Sequence, residues 1–135
     1  MRIFLDAKVL FSAAKSDGAV RRLLALLVEA GHECWADGYV VEEARRNLVA
    51  KAPRGVPVLD ALLAGMRLAA AHPHPAALEA TLALPEKDRP VLAAAIRECE
   101  GLVTGDRTHF GAFYGKTLGG VTIYSPRLLA EGLVV

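Results

Sequence analysis

Cysteine is scarce in this sequence, and the two that are present, Cys34 and Cys99, lie too far apart to suggest a disulfide framework. We expect both to be free, partly buried thiols in a reducing cytoplasm. Long apolar runs are also missing, since none approaches the ~20 residues that span a bilayer. The amino terminus does not show the succession of a charged region, an apolar region and a cleavage site that is typical of a signal peptide, so nothing indicates export. The expected location is the cytoplasm, without membrane contact.

The sequence also lacks an excess of charge of either sign, because its formal net charge is +1 and its pI is near 7.8. A strongly basic domain would have indicated nucleic-acid binding directly, and this balance does not. Basic residues nevertheless cluster in two places, which are Arg21 with Arg22, and Arg45, Arg46, Lys51 and Arg54. Each cluster could follow a phosphate backbone or form a solvated helix face, and the sequence leaves both interpretations open.

The length and composition indicate one globular domain over residues 1–135, large enough to form a core without disulfides. Predicted strands alternate with predicted helices along the chain, which is typical of an α/β fold with a parallel sheet covered on both faces. We expect loops after the first strand as far as Gly18, at residues 72–75 and at residues 109–120. Residues 66–70 fit either a helix or a strand. The predicted strands are Arg2–Leu5, 32–36, 102–104 and 121–124, and the clearest helices are 39–50 and 90–100.

Acidic residues recur where ordinary surface patterning does not explain them. Asp6 and Asp106 each follow an apolar run that reads as a strand, and ligands of open α/β sheets bind at such carboxyl ends. Glu43 lies at the margin of an apolar helix stripe, whereas its neighbour Glu42 points further toward solvent. Asp88 precedes Pro90 and could cap the following helix, bind a ligand, or do both. Carboxylates gathered at one point repel, so we expect a divalent cation among them.

Other polar residues near these acids carry weaker signals. Thr104 offers a hydroxyl beside Gly105, where the backbone can turn sharply before Asp106. We expect structural roles for His109 and Phe110. His72 and His74 lie in a predicted loop without a further nearby His or Cys, which makes a poor zinc site.

The stretches 4–10, 39–44, 87–95 and 102–106, in this order and spacing, resemble the PIN domain, a family of metal-dependent ribonucleases that includes toxins of many toxin–antitoxin pairs. The resemblance covers nearly the whole chain. It implies a three-layer α/β/α sandwich around a mostly parallel sheet, often dimeric, with a strand at 66–70. It further implies catalytic roles for Asp6, Glu43, Asp88 and Asp106, with Mg²⁺ or Mn²⁺ held by Asp6, Asp88 and Asp106 and with Thr104 and Ser12 in support.

The main functional hypothesis is metal-assisted hydrolysis of RNA phosphodiester bonds. Lys8, Arg45, Arg46 and Arg107 are the candidate contacts to RNA phosphates. For a toxin, the resemblance implies an antitoxin protein that covers the site, in a segment that folds on contact.

The family usually has Asn at the position of Lys8, and this difference leads to an alternative functional hypothesis. The chain would then be a non-catalytic RNA- or protein-binding module in which the Lys8 ammonium replaces the metal charge. A second alternative is a metal-dependent phosphatase acting on a small phosphorylated substrate. The lack of an Asp-x-Asp pair at the first strand argues against an aspartyl-phosphate intermediate.

Overall fold

A six-stranded sheet in the order β3-β2-β1-β4-β6-β5 runs through the computed structural model, which describes residues 1–70 and 79–134. Every neighbouring pair of strands is parallel except β5 with β6. The strands are β1 (Arg2–Leu5), β2 (Glu33–Asp37), β3 (Arg67–Ala69), β4 (Gly101–Val103), β5 (Thr117–Leu118) and β6 (Val121–Tyr124). The fold class predicted from the sequence is confirmed, and residues 67–69 form the strand that the resemblance implied.

Helices connect the strands and cover the sheet. They are α1 (Ala7–Lys15), α2 (Ala19–Glu29), α3 (Gly38–Lys51), α4 (Gly55–Leu63), α5 (Arg89–Glu98), α6 (Arg107–Phe110) and α7 (Pro126–Leu129). The connections from β1 to β2 and from β2 to β3 run one way along the sheet, and the connection from β3 to β4 runs back across it. Because such crossovers are right-handed, the reversal places α5 on the face opposite α1 to α4. No helix within 1–70 or 79–134 is long and apolar enough to cross a membrane.

The central strands are buried on both faces, which explains why they read as continuous apolar runs rather than alternating patterns. Ile3, Phe4 and Leu5 of β1 are fully buried, as are Leu102 and Val103 of β4. On one face, Gly55 begins α4 where a Cβ atom would lie 2.7 Å from Leu48 and 3.0 Å from the Ala14 carbonyl oxygen. Glycine therefore allows α4 to approach α1 and α3 closely.

Two predicted loops proved to be wrong. Residues 7–15 form helix α1, and its buried residues Val9, Leu10, Ala13 and Ala14 repeat at helical spacing. The many small residues of this segment had made it resemble a loop. Residues 109–120 contain the end of α6, a 3₁₀ turn at Gly111–Phe113, and β5. Gly119 and Gly120 have φ angles of +57° and +84° and form the two-residue turn between β5 and β6. The predicted loop at 72–75 and its histidines lie outside the described residues.

Candidate metal centre

Asp6 and Asp106 lie at the same edge of the sheet because β1 and β4 are parallel neighbours in register, with Leu5 opposite Val103. The Asp6 amide donates a hydrogen bond to the Val103 carbonyl at 3.0 Å. The Thr104 hydroxyl donates to Asp6 Oδ2 at 2.6 Å and accepts from the Asp106 amide at 3.0 Å. One fully buried side chain, that of Thr104, thus connects the ends of the two strands.

Asp88 reaches the same region from the 3₁₀ turn Glu86–Asp88, just before α5. It occupies the N-cap position of α5, but its side chain accepts no capping hydrogen bond. Its Oδ2 atom instead lies 2.7 Å from Nδ1 of His109. The sequence left a helix cap and a ligand open as roles for Asp88, and the capping hydrogen bond is not formed.

His109 joins the acids through the short helix α6. Asp106 caps this helix, since Asp106 Oδ1 accepts from the His109 amide at 3.2 Å. The same turn brings His109 Nδ1 to 3.0 Å from Asp106 Oδ2. Asp88, Asp106 and His109 each offer one ligand atom, and these atoms lie within 4.8 Å of one another. The sequence indicated structural roles for both residues: Phe110 is fully buried in the core, whereas the His109 ring lies beside the two carboxylates.

Glu43 approaches the centre from α3. It is half-buried, whereas Glu42 is exposed, as the helical spacing predicted. Glu43 and Asp88 both lie close enough to Asp6 for their charges to raise its pKa. Asp6 and Glu43 remain outside the tight group of Asp88, Asp106 and His109, which is the one such group found among residues 1–70 and 79–134. The structure therefore brings all four predicted acids to one region and packs two of them most closely.

The carboxyl groups of this region differ in how readily they ionise. Burial raises the pKa of Asp6 and outweighs the hydrogen bonds from Thr104 and Ala7 that favour its charged form. Burial also raises the pKa of Asp88, although the neighbouring His109 acts in the opposite direction. Burial alone would raise the pKa of Asp106 too, but its hydrogen bond from the His109 amide and the charge of Lys8 lower it overall. Burial therefore disfavours the charged forms of Asp6 and Asp88, and a nearby cation would favour them.

The donor atoms fit a divalent cation. Asp88 Oδ2 and His109 Nδ1 are buried, and neither forms a hydrogen bond of acceptable geometry despite their 2.7 Å separation. Buried polar atoms without hydrogen bonds are costly, on the order of 1–3 kcal/mol each. A cation bound by both atoms would remove that cost and the repulsion between Asp88 and Asp106.

The remaining predicted residues lie at the rim of the centre or beyond it. Lys8 Nζ lies 3.7 Å from Asp106 Oδ1, on a side chain that is 62% exposed. Ser12 follows one turn later on α1 and is half-buried. Arg46 is exposed on α3, and its charge lowers the pKa of Tyr39, which burial raises overall. Arg45 points elsewhere, because its guanidinium pairs with Asp60 of α4 at 2.8 Å.

A cleft of about 550 Å³ is lined by the residues on either side of Asp106 in the chain and by residues that follow β6, but by none of the four predicted acids. Its lining includes Gly105, Arg107, Tyr114 and Arg127. The Tyr114 hydroxyl donates to the Thr104 carbonyl at 2.8 Å, so the wall of the cleft is connected directly to the residue that links Asp6 with Asp106. The sequence indicated Arg107 but gave no signal for the cleft itself.

Known structures share this architecture. The chain is similar to a chain of the crystal structure of VapBC2 from Rickettsia felis bound to a DNA fragment from their promoter, with a TM-score of 0.70 over 93% of this chain and 98% of that chain. The chain has a PIN-domain fold. Sequence identity to that structure is 16%, so the likeness establishes the fold and leaves the activity to be argued from the side chains. No protein-family model matches the sequence, and no curated protein matches it either.

Proposed function

We propose that this protein is a metal-dependent endoribonuclease whose catalytic centre is formed by Asp6, Glu43, Asp88 and Asp106. The observation that carries the proposal is the convergence of buried carboxyl groups from separate chain segments at the carboxyl edge of the sheet. Asp6, Asp88 and Asp106 would hold Mg²⁺ or Mn²⁺, and Glu43 would complete the centre directly or through water.

The chemistry expected of this centre is phosphodiester hydrolysis. A bound dication of this type lowers the pKa of a water molecule and stabilises negative charge on a phosphate. The chain's own contribution is orientation: the Thr104 hydroxyl fixes Asp6, and the α6 backbone and Lys8 engage Oδ1 of Asp106. Oδ2 of Asp106 therefore remains directed at Asp88 and His109. Such outer contacts commonly contribute 10–100-fold, as an order of magnitude, to metal affinity or activity.

The basic residues at the rim fit an RNA strand as ligand. Lys8 and Arg107 flank Asp106, and the cleft that Arg107 lines also offers the aromatic ring of Tyr114. Fixed cations along such a path bind phosphates, and an aromatic wall suits an unpaired base. Arg45 is the weakest of the proposed phosphate contacts, because its guanidinium already pairs with Asp60 at 2.8 Å.

The test is cleavage of single-stranded RNA by the purified chain with Mn²⁺ or Mg²⁺. Cleavage should cease with EDTA, return when the cation is restored, and fall at least ~100-fold in Asp6→Asn. Activity that survives both EDTA and Asp6→Asn would exclude the proposed centre. An inactive Asp6→Asn variant counts only if its circular dichroism spectrum matches that of the unsubstituted protein.

We also propose that the protein works with an antitoxin partner and forms a homodimer. The PIN resemblance motivates both expectations, and the fold shared with a chain of the VapBC2 structure supports the first. A small open reading frame next to the gene, whose product co-purifies with this chain and blocks cleavage, is the expected result. Full activity in the presence of that product, or a monomer by sedimentation, would contradict the respective proposal.

The contact between Lys8 and Asp106 favours a second candidate, a non-catalytic binding module of the same fold. In that case the ammonium, 3.7 Å from Asp106 Oδ1, supplies the positive charge that a metal would otherwise provide. The module would bind RNA or protein without cleavage, and Lys8→Asn would create Mn²⁺ binding in calorimetry. If the unsubstituted chain already binds Mn²⁺, this candidate is excluded.

A further inference from the structure

The imidazole of His109 is placed where a metal ligand is needed. The first turn of α6 folds back on its own cap, since Asp106 accepts from the His109 amide at 3.2 Å. The ring nitrogen Nδ1 then lies 2.7 Å from Asp88 Oδ2 and 3.0 Å from Asp106 Oδ2. Three donor atoms from three side chains therefore surround one small space.

The hydrogen bonding of these atoms is incomplete. Asp88 is 9% exposed, and its Oδ2 has no hydrogen bond of acceptable geometry. His109 Nδ1 also lacks a hydrogen bond of acceptable geometry, although it lies 2.7 Å from Asp88 Oδ2. Their proximity without hydrogen-bond alignment is the arrangement expected of two atoms that face a common cation.

The spacing of the donors also fits a common cation. Adjacent ligands of an octahedral ion with bonds of ~2.0–2.1 Å lie about 2.9 Å apart. The observed separations of 2.7 and 3.0 Å agree with that edge length. Hence Nδ1 can occupy a position next to both carboxylate oxygens without a change of backbone.

We propose that His109 is a ligand of the metal and that its nitrogen makes the centre select first-row transition dications over Mg²⁺. This inference rests on the proposed function and deepens it by narrowing the cation. Magnesium binds oxygen ligands, whereas imidazole nitrogen suits the first-row transition ions, whose affinity rises from Mn²⁺ through Fe²⁺ and Co²⁺. A centre of carboxylate oxygens alone would lack this discrimination.

The decisive measurement is pulsed electron paramagnetic resonance of Mn²⁺ bound to the full chain. The unsubstituted protein should show ¹⁴N coupling from a directly bound imidazole, and His109→Gln should retain a folded spectrum in circular dichroism while losing that coupling. Thr108→Ala is the matched control, because Thr108 is the exposed neighbour of His109 on α6 and its substitution should leave the coupling intact.

Calorimetric titrations with Mn²⁺ and Mg²⁺ test the selectivity. The unsubstituted chain should bind Mn²⁺ at least ~10-fold more tightly than Mg²⁺, and His109→Asp, which replaces nitrogen by oxygen, should reduce that ratio several-fold. Bound Mn²⁺ without ¹⁴N coupling, or a ratio unchanged in His109→Asp, would overturn the inference while leaving the nuclease proposal intact. Failure of the unsubstituted chain to bind either cation would overturn both.

Discussion

Asp37 and Asp106 occupy nearly equivalent places in the fold. Asp37 ends β2 and Asp106 follows β4, and these strands flank β1 on its two sides. Each aspartate caps the next helix by accepting a hydrogen bond from the amide three residues later, at 3.1 Å for Val40 and 3.2 Å for His109. Each is 6% exposed. By strand position, capping and burial, the two aspartates cannot be distinguished.

The two aspartates differ in the other side chains that lie close to them. Burial raises the pKa of Asp37 despite its backbone hydrogen bonds, whereas that of Asp106 is lowered overall by its bond from the His109 amide and by Lys8. Asp106 directs its second oxygen toward Asp88 and His109, while Asp37 belongs to no group of metal-ligating side chains in the described part of the chain. A buried aspartate at a strand end is therefore a helix cap by default. It becomes part of a site when other segments bring ligands to its free oxygen.

The largest difference in cleavage rate should appear between two single variants, Asp106→Asn and Asp37→Asn. Asparagine caps helices as well as aspartate does, so both variants keep their helix caps. Asp106→Asn should reduce Mn²⁺-dependent RNA cleavage at least ~100-fold and abolish calorimetric Mn²⁺ binding, since it removes a ligand charge. Asp37→Asn should change the cleavage rate less than about twofold, because its cap is retained. Equal losses in both variants would mean that the comparison reflects folding and not a site.

Next in size is the loss of the hydroxyl that joins the two strand ends. Thr104→Val keeps the shape of the side chain but removes the hydrogen bonds to Asp6 Oδ2 and from the Asp106 amide. Cleavage should fall about 10-fold, as for other groups that orient metal ligands. Thr104→Ser should restore most of it. Thr122→Val, which removes an exposed hydroxyl from β6, is the control and should leave the rate unchanged.

The sequence predicted much of this centre because strand ends are easy to recognise. The apolar runs before Asp6 and Asp106 marked two parallel strands, and the register of β1 with β4 placed their ends side by side. The helical spacing also distinguished Glu43 from Glu42. These inferences depend on local periodicity, which a single sequence displays.

What the sequence did not predict depends on contacts between distant segments. Helix α1 was missed because its small residues resemble a loop until the packing against α3 and α4 is known. The approach of His109 to Asp88 was not predicted, because Asp88 lies 21 positions earlier in the chain and reaches His109 only through the fold. The one local signal is the helical register, because a residue three positions after an N-cap, as His109 is after Asp106, lies back over that cap.

For stability, the order of the two aspartates should be reversed: replacing Asp37 should cost more stability than replacing Asp106, although Asp106 matters more for cleavage. In EDTA, Asp37→Ala should lower the free energy of unfolding by ~1 kcal/mol, because it uncaps the 14-residue helix α3. Asp106→Ala uncaps a helix of only four residues, and the relief of its repulsion of Asp88 offsets the lost attraction to the exposed Lys8, so its loss should be smaller, about 0.5 kcal/mol. Urea denaturation of the two variants measures the difference. A larger loss for Asp106→Ala would show that its cap matters more than its charge.

Arg45 and Arg46 are a second pair of like residues, on the surface of α3, that differ in their neighbours. Replacing them should give the smallest effects on stability and KM. Arg45 forms an exposed ion pair with Asp60 at 2.8 Å, and such pairs contribute at most about 0.5–1 kcal/mol. Arg45→Ala should therefore lower the free energy of unfolding by less than ~0.5 kcal/mol and leave the KM for RNA unchanged. Arg46→Ala should leave stability unchanged and raise KM about two- to threefold, because its charge faces the rim near Tyr39. If Arg45→Ala raised KM as much as Arg46→Ala, the pair with Asp60 would have to open when RNA binds.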